Sequence, residues 1–234
     1  MTEHISKQYD QDLEAIRSRM MQMGGLVESQ IRSAVAGYLN GDTDLIEQVI
    51  AADSKVNDLE VAIDDDLRHV IVRRQPAATD LRLIMAVSKT VTDLERIGDE
   101  AAKIARMARE ILAAGRSAGT ARLAMIGHVA EISIGMLRKS LDAFARLDAA
   151  AAARVIGEDV TIDSEFHAIL RQLITFMMED PRTISTSINI IWVAKACERI
   201  GDHAKNIAEQ VIYIVKGTDV RHTPLAEVER EALS

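Results

Sequence analysis

A chain of 234 residues fits one large domain or two of about 100 residues, and either can bury a real core. Hydrophobic residues make up 48% of it but aromatics only 3%, so the apolar mass is Ala, Leu, Ile, Val and Met, side chains that suit helices. The excess of 36 acidic over 28 basic residues argues against nucleic acid as a partner, the lone Cys197 excludes an intramolecular disulfide framework, and no run approaches the ~20 apolar residues that cross a bilayer.

With no apolar signal core at Met1 to Lys7, the chain reads as cytoplasmic. From Leu13, apolar residues at Ile16, Met20, Met23, Val27, Ile31, Ala34 and Tyr38 alternate steps of three and four, which predicts a long first helix. It stops at Asn40-Gly41, where glycine tolerates the left-handed conformation, and Asp42 caps the next helix. The second helix repeats the spacing from Leu45 through Val49, Val56, Ile63 and Val70, then breaks at Gln75-Pro76. A third begins near Thr79-Asp80, with an acid in its first turn, and runs through Val91, Leu94, Ile97 and Ile104 to Ile111.

Gly115 to Thr120 reads as a linker, and a second set follows. Its helices run from about Thr120 to Leu147, from Ala149 to Met178 and, after a break at Asp180-Pro181, from about Ile184 to Lys216, where Gly217 ends the last. The polar tail is expected to fray, with Thr223-Pro224 able to start one short helix. Residues 1–114 and 120–217 are thus expected to form two tandem, pseudo-symmetric three-helix bundles of an all-α fold, followed by a polar tail over 218–234.

The two halves repeat one motif. Residues 95–105, Glu-Arg-Ile-Gly-Asp-Glu-Ala-Ala-Lys-Ile-Ala, match residues 198–208, Glu-Arg-Ile-Gly-Asp-His-Ala-Lys-Asn-Ile-Ala, at eight of eleven positions, each copy on the third helix of its half. Glu198, Asp202, Asn206 and Glu209 fall within about 80° of one another on a helix, opposite Ile200, Ala204, Ile207 and Val211. Glu95 and Asp99 hold the same relation to the first apolar stripe, so both acidic pairs are expected to face away from the core. Like charges four apart cost about 0.2 to 0.5 kcal/mol, which a bound cation would offset.

Hard metal ions take oxygen ligands of this kind. Asp53 and Asn57, with Glu60 and Asp64, line one stripe of the second helix, and Asp159 and Asp163 are similarly spaced on the fifth, so neighbouring helices can complete a ligand set. Oxygen donors alone do not choose among Mg, Mn, Fe, Zn or Ca, divalent or trivalent. The plain alternative is a solvated acidic face, neutralised by Arg96 and Arg199 across a helix seam. Gly98 and Gly201, mid-helix, indicate close helix approach; Cys197 reads as a buried thiol.

The stretch Arg74-Gln75-Pro76-Ala77-Ala78-Thr79-Asp80-Leu81-Arg82, followed by Asp93-Leu94-Glu95-Arg96-Ile97-Gly98-Asp99, resembles the first-repeat signature of the PhoU family. Met177-Met178-Glu179-Asp180-Pro181-Arg182-Thr183-Ile184, Glu198 to Glu209 and Tyr213-Ile214-Val215-Lys216-Gly217 are similar to its second. The resemblance implies two three-helix bundles, often dimeric, that bind metal through the acidic motif of each repeat, with Glu95, Asp99, Glu198 and Asp202 as ligands. It implies no catalysis. The implied role is negative regulation of phosphate uptake and of the phosphate-starvation response, as an adaptor between the phosphate ABC transporter ATPase and a membrane sensor histidine kinase. That places the chain in the cytoplasm, peripheral to the inner membrane only through those partners.

Departures from the pattern are Lys103, where the second repeat has Asn206, and Arg106, where it has Glu209, so the first site is expected to be the weaker. Arg73, Arg74, Asp80 and Arg82 at the corner between helices two and three are candidates for partner contact, against a plain reading as caps and charge balance. Two other functions compete. A ferritin-like di-metal carboxylate oxidase would need Glu-x-x-His on paired helices, and a purely structural bundle would need no ligand.

Overall fold

The computed structural model describes residues 7–76, 78–115 and 120–234. Seven α-helices follow in order: α1 Lys7–Asn40, α2 Thr43–Arg74, α3 Ala78–Ala113, α4 Thr120–Arg146, α5 Ala149–Glu179, α6 Ile184–Lys216 and α7 Leu225–Leu233, with one 3-10 turn at Pro181–Thr183. No strand occurs among the described residues, and no helix among them is long and apolar enough to cross a membrane. The centre of the linker expected at Gly115 to Thr120, residues 116–119, lies outside the described residues.

Local chemistry sets the helix ends. Gly41 takes φ 68, and the Asp42 carboxylate accepts the Leu45 amide at 3.0 Å to start α2. The second half repeats the device, with Asp148 accepting from Ala151 at 2.8 Å. There Leu147, not glycine, holds the left-handed position at φ 53, so α4 stops one residue earlier than its apolar spacing predicts. Gln75, at φ 49 before Pro76, ends α2 by donating its amide to the Ile71 carbonyl. Gly217, at φ 78, closes α6 on the Tyr213 carbonyl at 2.9 Å.

Helices α1, α2 and α3 pack as one bundle, and α4, α5 and α6 as the other. The halves join along α3 against α6 and α1 against α4, which makes those four an inner layer with α2 and α5 outside it. Helices α3 and α6 run antiparallel. Asp93 meets His203 and Glu100 meets Arg199 near the middle of both helices, and Glu110 meets Asn189 toward the C-terminal end of α3. Small residues fully buried on both helices, including Ala101, Ala105, Ala194 and Ala204, let these axes approach closely. The other seam is tied by Arg138 to Glu28 at 2.6 Å and by Arg17, which donates to the carbonyl of Ala145 at the end of α4.

The tail, expected to fray, is folded against the second bundle. Val220, Val228 and Ala232 are buried, and α7 docks on α5, because a short helix with two apolar residues four apart finds an apolar seat there.

Both motif glycines sit where a third helix presses in. A Cβ on Gly98 would stand 3.3 Å from Val56 Cγ1 of α2, and one on Gly201 would stand 2.9 Å from Ile162 Cδ1 of α5. Alanine in a helix gains about 0.8 to 1.0 kcal/mol over glycine, but overpacking costs about 1–3 kcal/mol. Gly201→Ala is therefore expected to destabilise the protein by about 1 kcal/mol, and Gly98→Ala to be close to neutral. Thermal unfolding followed by circular dichroism checks the order, and a more stable Gly201→Ala variant would contradict the packing described.

Candidate metal centre

Glu198 and Asp202 lie one turn apart on α6, and the approach of α5 at Gly201 brings Asp159 and Asp163 alongside. Glu198 is buried at 7% exposure; one oxygen accepts from Lys195 at 2.5 Å and the other, Oε2, has no partner. Asp159 is buried too, with one oxygen held by Lys205 and Oδ1 unpartnered. Burial, then the charges of Glu198, Asp159 and Asp163, pushes the Asp202 carboxyl up to about 6. Two turns on, burial pushes Glu209 up to about 7. Glu209, Asp202 and Asp159 share a cavity of about 390 Å³ with Lys205 and the chain that follows Gly217.

The α2–α3 groove repeats the arrangement in weaker form. Burial, then the charges of Asp99 and Glu60, raises the Glu95 carboxyl above the usual carboxylate range. Burial, then Asp99, raises Asp53, whose Oδ1 is buried without a partner. Burial, then Asp64, raises Glu60. The opposing charge comes from Arg96, 3.5 Å from Glu95, and from Arg106, which acts on Asp53. Asn57 is exposed, on the outer side of α2.

The acids were expected to face outward from the core. They lie instead in helix–helix grooves, with Glu198, Asp159 and Glu209 buried, because α6 is covered by α3, α4 and α5 and has no free side at its middle. Asn206 was expected in the ligand stripe; its amide donates to Asp93 on α3 at 3.0 Å, beside His203 at 2.8 Å from the same oxygen. Lys103 makes the matching turn toward the seam, 3.3 Å from Glu100 and over the Trp192 ring. Arg199 neutralises Glu100 at 3.0 Å across the seam, not the acids of its own motif. The cations that do serve the second motif, Lys195 and Lys205, were missed, although their three-residue spacing from Glu198 and Asp202 marks them as same-face neighbours.

The corner residues have intramolecular work. Arg74 reaches Asp12 on α1 at 3.3 Å, and the Arg82 guanidinium lies 3.2 Å from where a Gly217 Cβ would be. Asp80 acts on Tyr9, whose hydroxyl is pushed up to about 12 first by burial and then by that charge. Arg73 is exposed. His203, bonded to Asp93, is turned away from the Glu198–Asp202 pair, so no Glu-x-x-His pair of the ferritin-like kind forms there.

Among the described residues, no three His, Cys, Asp or Glu side chains already converge as a metal cage. The donor set nonetheless fits a hard cation, since each groove holds a buried carboxylate oxygen with no protein donor, Asp53 Oδ1 in one and Glu198 Oε2 and Asp159 Oδ1 in the other.

Two matching helical halves, each with a row of carboxylates in the groove beside its third helix, define a duplicated all-α bundle with paired acidic grooves. The PhoU domain matches residues 20–108 and 126–211, one copy in each half. The chain belongs to the PhoU family. The phosphate-specific transport system accessory protein PhoU homolog of Pseudomonas aeruginosa is 49% identical over 231 residues, 99% of this chain and 95% of that protein. The Escherichia coli (strain K12) accessory protein PhoU is 44% identical over 230 residues, 98% of this chain and 94% of that one. A crystal structure of PhoU from Pseudomonas aeruginosa matches with a TM-score of 0.86 at 48% identity, over 90% of this chain and 100% of that chain. The phosphate transport system regulatory protein PhoU from Streptococcus pneumoniae matches with a TM-score of 0.83 at 25% identity, over 91% of this chain and 99% of its own. Proteins of this family bear the names of accessory and regulatory proteins, not of enzymes.

The raised carboxylates make stability depend on pH. A carboxyl whose folded pKa exceeds its unfolded value contributes most below the unfolded value, near pH 4, and loses that contribution as pH rises through the folded one. For Asp202 and Glu209, raised from 3.8 to about 6 and from 4.5 to about 7, the loss begins near pH 4 and is complete just above pH 7. Chelator-treated protein is expected to melt at a lower temperature at pH 8 than at pH 5, each kcal/mol lost lowering Tm by about 2–4 °C. Glu209→Gln and Asp202→Asn are expected to flatten the dependence. A Tm that holds or rises over this range would show that the groove does not keep these acids buried.

Proposed function

We infer that this chain is a regulator of phosphate uptake, an accessory protein of a phosphate transport system. The observation that carries it is the match along nearly the whole chain to relatives named for that role, at 44–49% identity. A chain without a bilayer-crossing helix among its described residues reaches such a system by peripheral association.

Within that role we propose a finer function. The chain is an adaptor that docks on the transporter ATPase and on the sensor histidine kinase of the phosphate response, damping uptake and signalling when phosphate is plentiful, and its acidic grooves hold metal ions. The docking supports are exposed apolar side chains near the two proline corners. Ile71, Leu81 and Met85 lie at the first, and Ile174, Met178 and Ile184 at the second. The same surfaces suit a homodimer, read out by light scattering. Capture from cell membranes is expected to recover the ATPase or the kinase, and capture of neither at low salt rejects the adaptor.

Support for metal is the set of desolvated, unpartnered carboxylate oxygens in each groove. A bound cation would satisfy them and remove the cost of ionising Asp202 and Glu209. Glu198, Asp202 and Asp159, with Asp163 beside them, would hold it in the second half, and Asp53, Glu95 and Asp99 in the first. Elemental analysis of protein purified without chelator is expected to show bound metal that Glu198→Ala/Asp202→Ala loses in large part. Equal content in the two proteins removes the motif from metal binding.

A further inference from the structure

The two acidic grooves differ in what covers them. Among the described elements, α2 packs only on α1 and α3, whereas α5 also carries α7. The chain after α6 turns at Gly217 and crosses the α5–α6 groove, so that Val220, Arg221, His222 and Leu225 form one wall of the 390 Å³ cavity whose other wall holds Asp202 and Glu209. Val220 of this crossing and Val228 of α7 are buried, and Leu225 lies against α5 at Gly157, 3.6 Å from where a Cβ there would be. Thr218 closes the segment on itself by donating to Glu231 at 2.8 Å.

We propose that residues 218–233 are a hinged cover that sets how fast a cation enters and leaves the second groove. Nine residues make a helix too short to persist alone, so α7 holds its place only through the few apolar contacts it makes. Segments held by few buried contacts open locally, far more often than the protein unfolds. Gly217, in the left-handed conformation against Arg82 of the first half, is the pivot. A hydrated ion reaching Asp202 from this end passes between Arg221, already paired with Asp219, and the His222 imidazole. The first groove has no α7, so its exchange is expected to be fast in all variants.

The inference rests on the metal-binding reading of the groove, and one experiment separates the two. Full-length protein loaded with Mn²⁺ is mixed with a chromogenic chelator, and the release phase that Glu198→Ala/Asp202→Ala abolishes is assigned to the second groove. In Val228→Asp and in the milder Leu225→Ser, that phase is expected to quicken by about tenfold, with the remaining release unchanged. Rates within about twofold of wild type in both variants overturn the cover. If no phase depends on Glu198 and Asp202, the metal reading fails and the cover's role with it. Amide exchange in the metal-free chain tests the hinge independently. Residues 225–233 are expected to exchange well before the middle of α6, and equal protection overturns the proposal whatever the metal result.

Discussion

The close approach of an outer helix to each motif helix is the constraint on which the other features depend. Glycine at 98 and 201 removes the side chain that would hold α2 off α3 and α5 off α6. The approach costs helix propensity and brings carboxylates from two helices into one groove without enough water to solvate them. From that follow the raised acids at Asp53, Glu95, Asp202 and Glu209 and the oxygens that lack donors. A row of acids on an open surface would give none of these.

The halves answer this electrostatic problem differently. Where the second half has Glu209, the first has Arg106, a charge of opposite sign that acts on Asp53. The first groove thus has a guanidinium where the second has a further carboxylate. In the second, Lys195 and Lys205 each bind one oxygen of a buried carboxylate and leave the other without a donor. Duplication supplied two grooves of one design, and substitutions at several helical positions, Thr92 against Lys195, Ala102 against Lys205 and Arg106 against Glu209, distribute their charges differently.

Much of this was legible in the sequence, for identifiable reasons. Helix extents follow the three-and-four spacing, and the breaks at Gly41, Pro76, Pro181 and Gly217 are made by residues whose own backbone limits decide the outcome. Leu147 escaped because nothing in its side chain announces a left-handed backbone. The depth of the acids escaped because a helical wheel ranks faces by hydropathy and cannot say that α6 is enclosed by three other helices. Asn206 and Lys103 were read as groove residues because they share a stripe with the acids; only the antiparallel pairing of α3 with α6 shows that their ends reach Asp93 and Glu100. The tail was misjudged for the same reason, since Val228 and Ala232 are informative only once α5 offers them a seat.

The polar contacts along α3 and α6 fix more than affinity. Asp93 with His203, Glu100 with Arg199 and Glu110 with Asn189 are spaced along an otherwise apolar contact. Sliding one helix past the other by a single turn would separate every pair at once and leave charges facing alkyl groups. The joint therefore behaves like a keyed shaft, barred from slipping along its axis by these pairs and from turning about it by the second seam of α1 on α4.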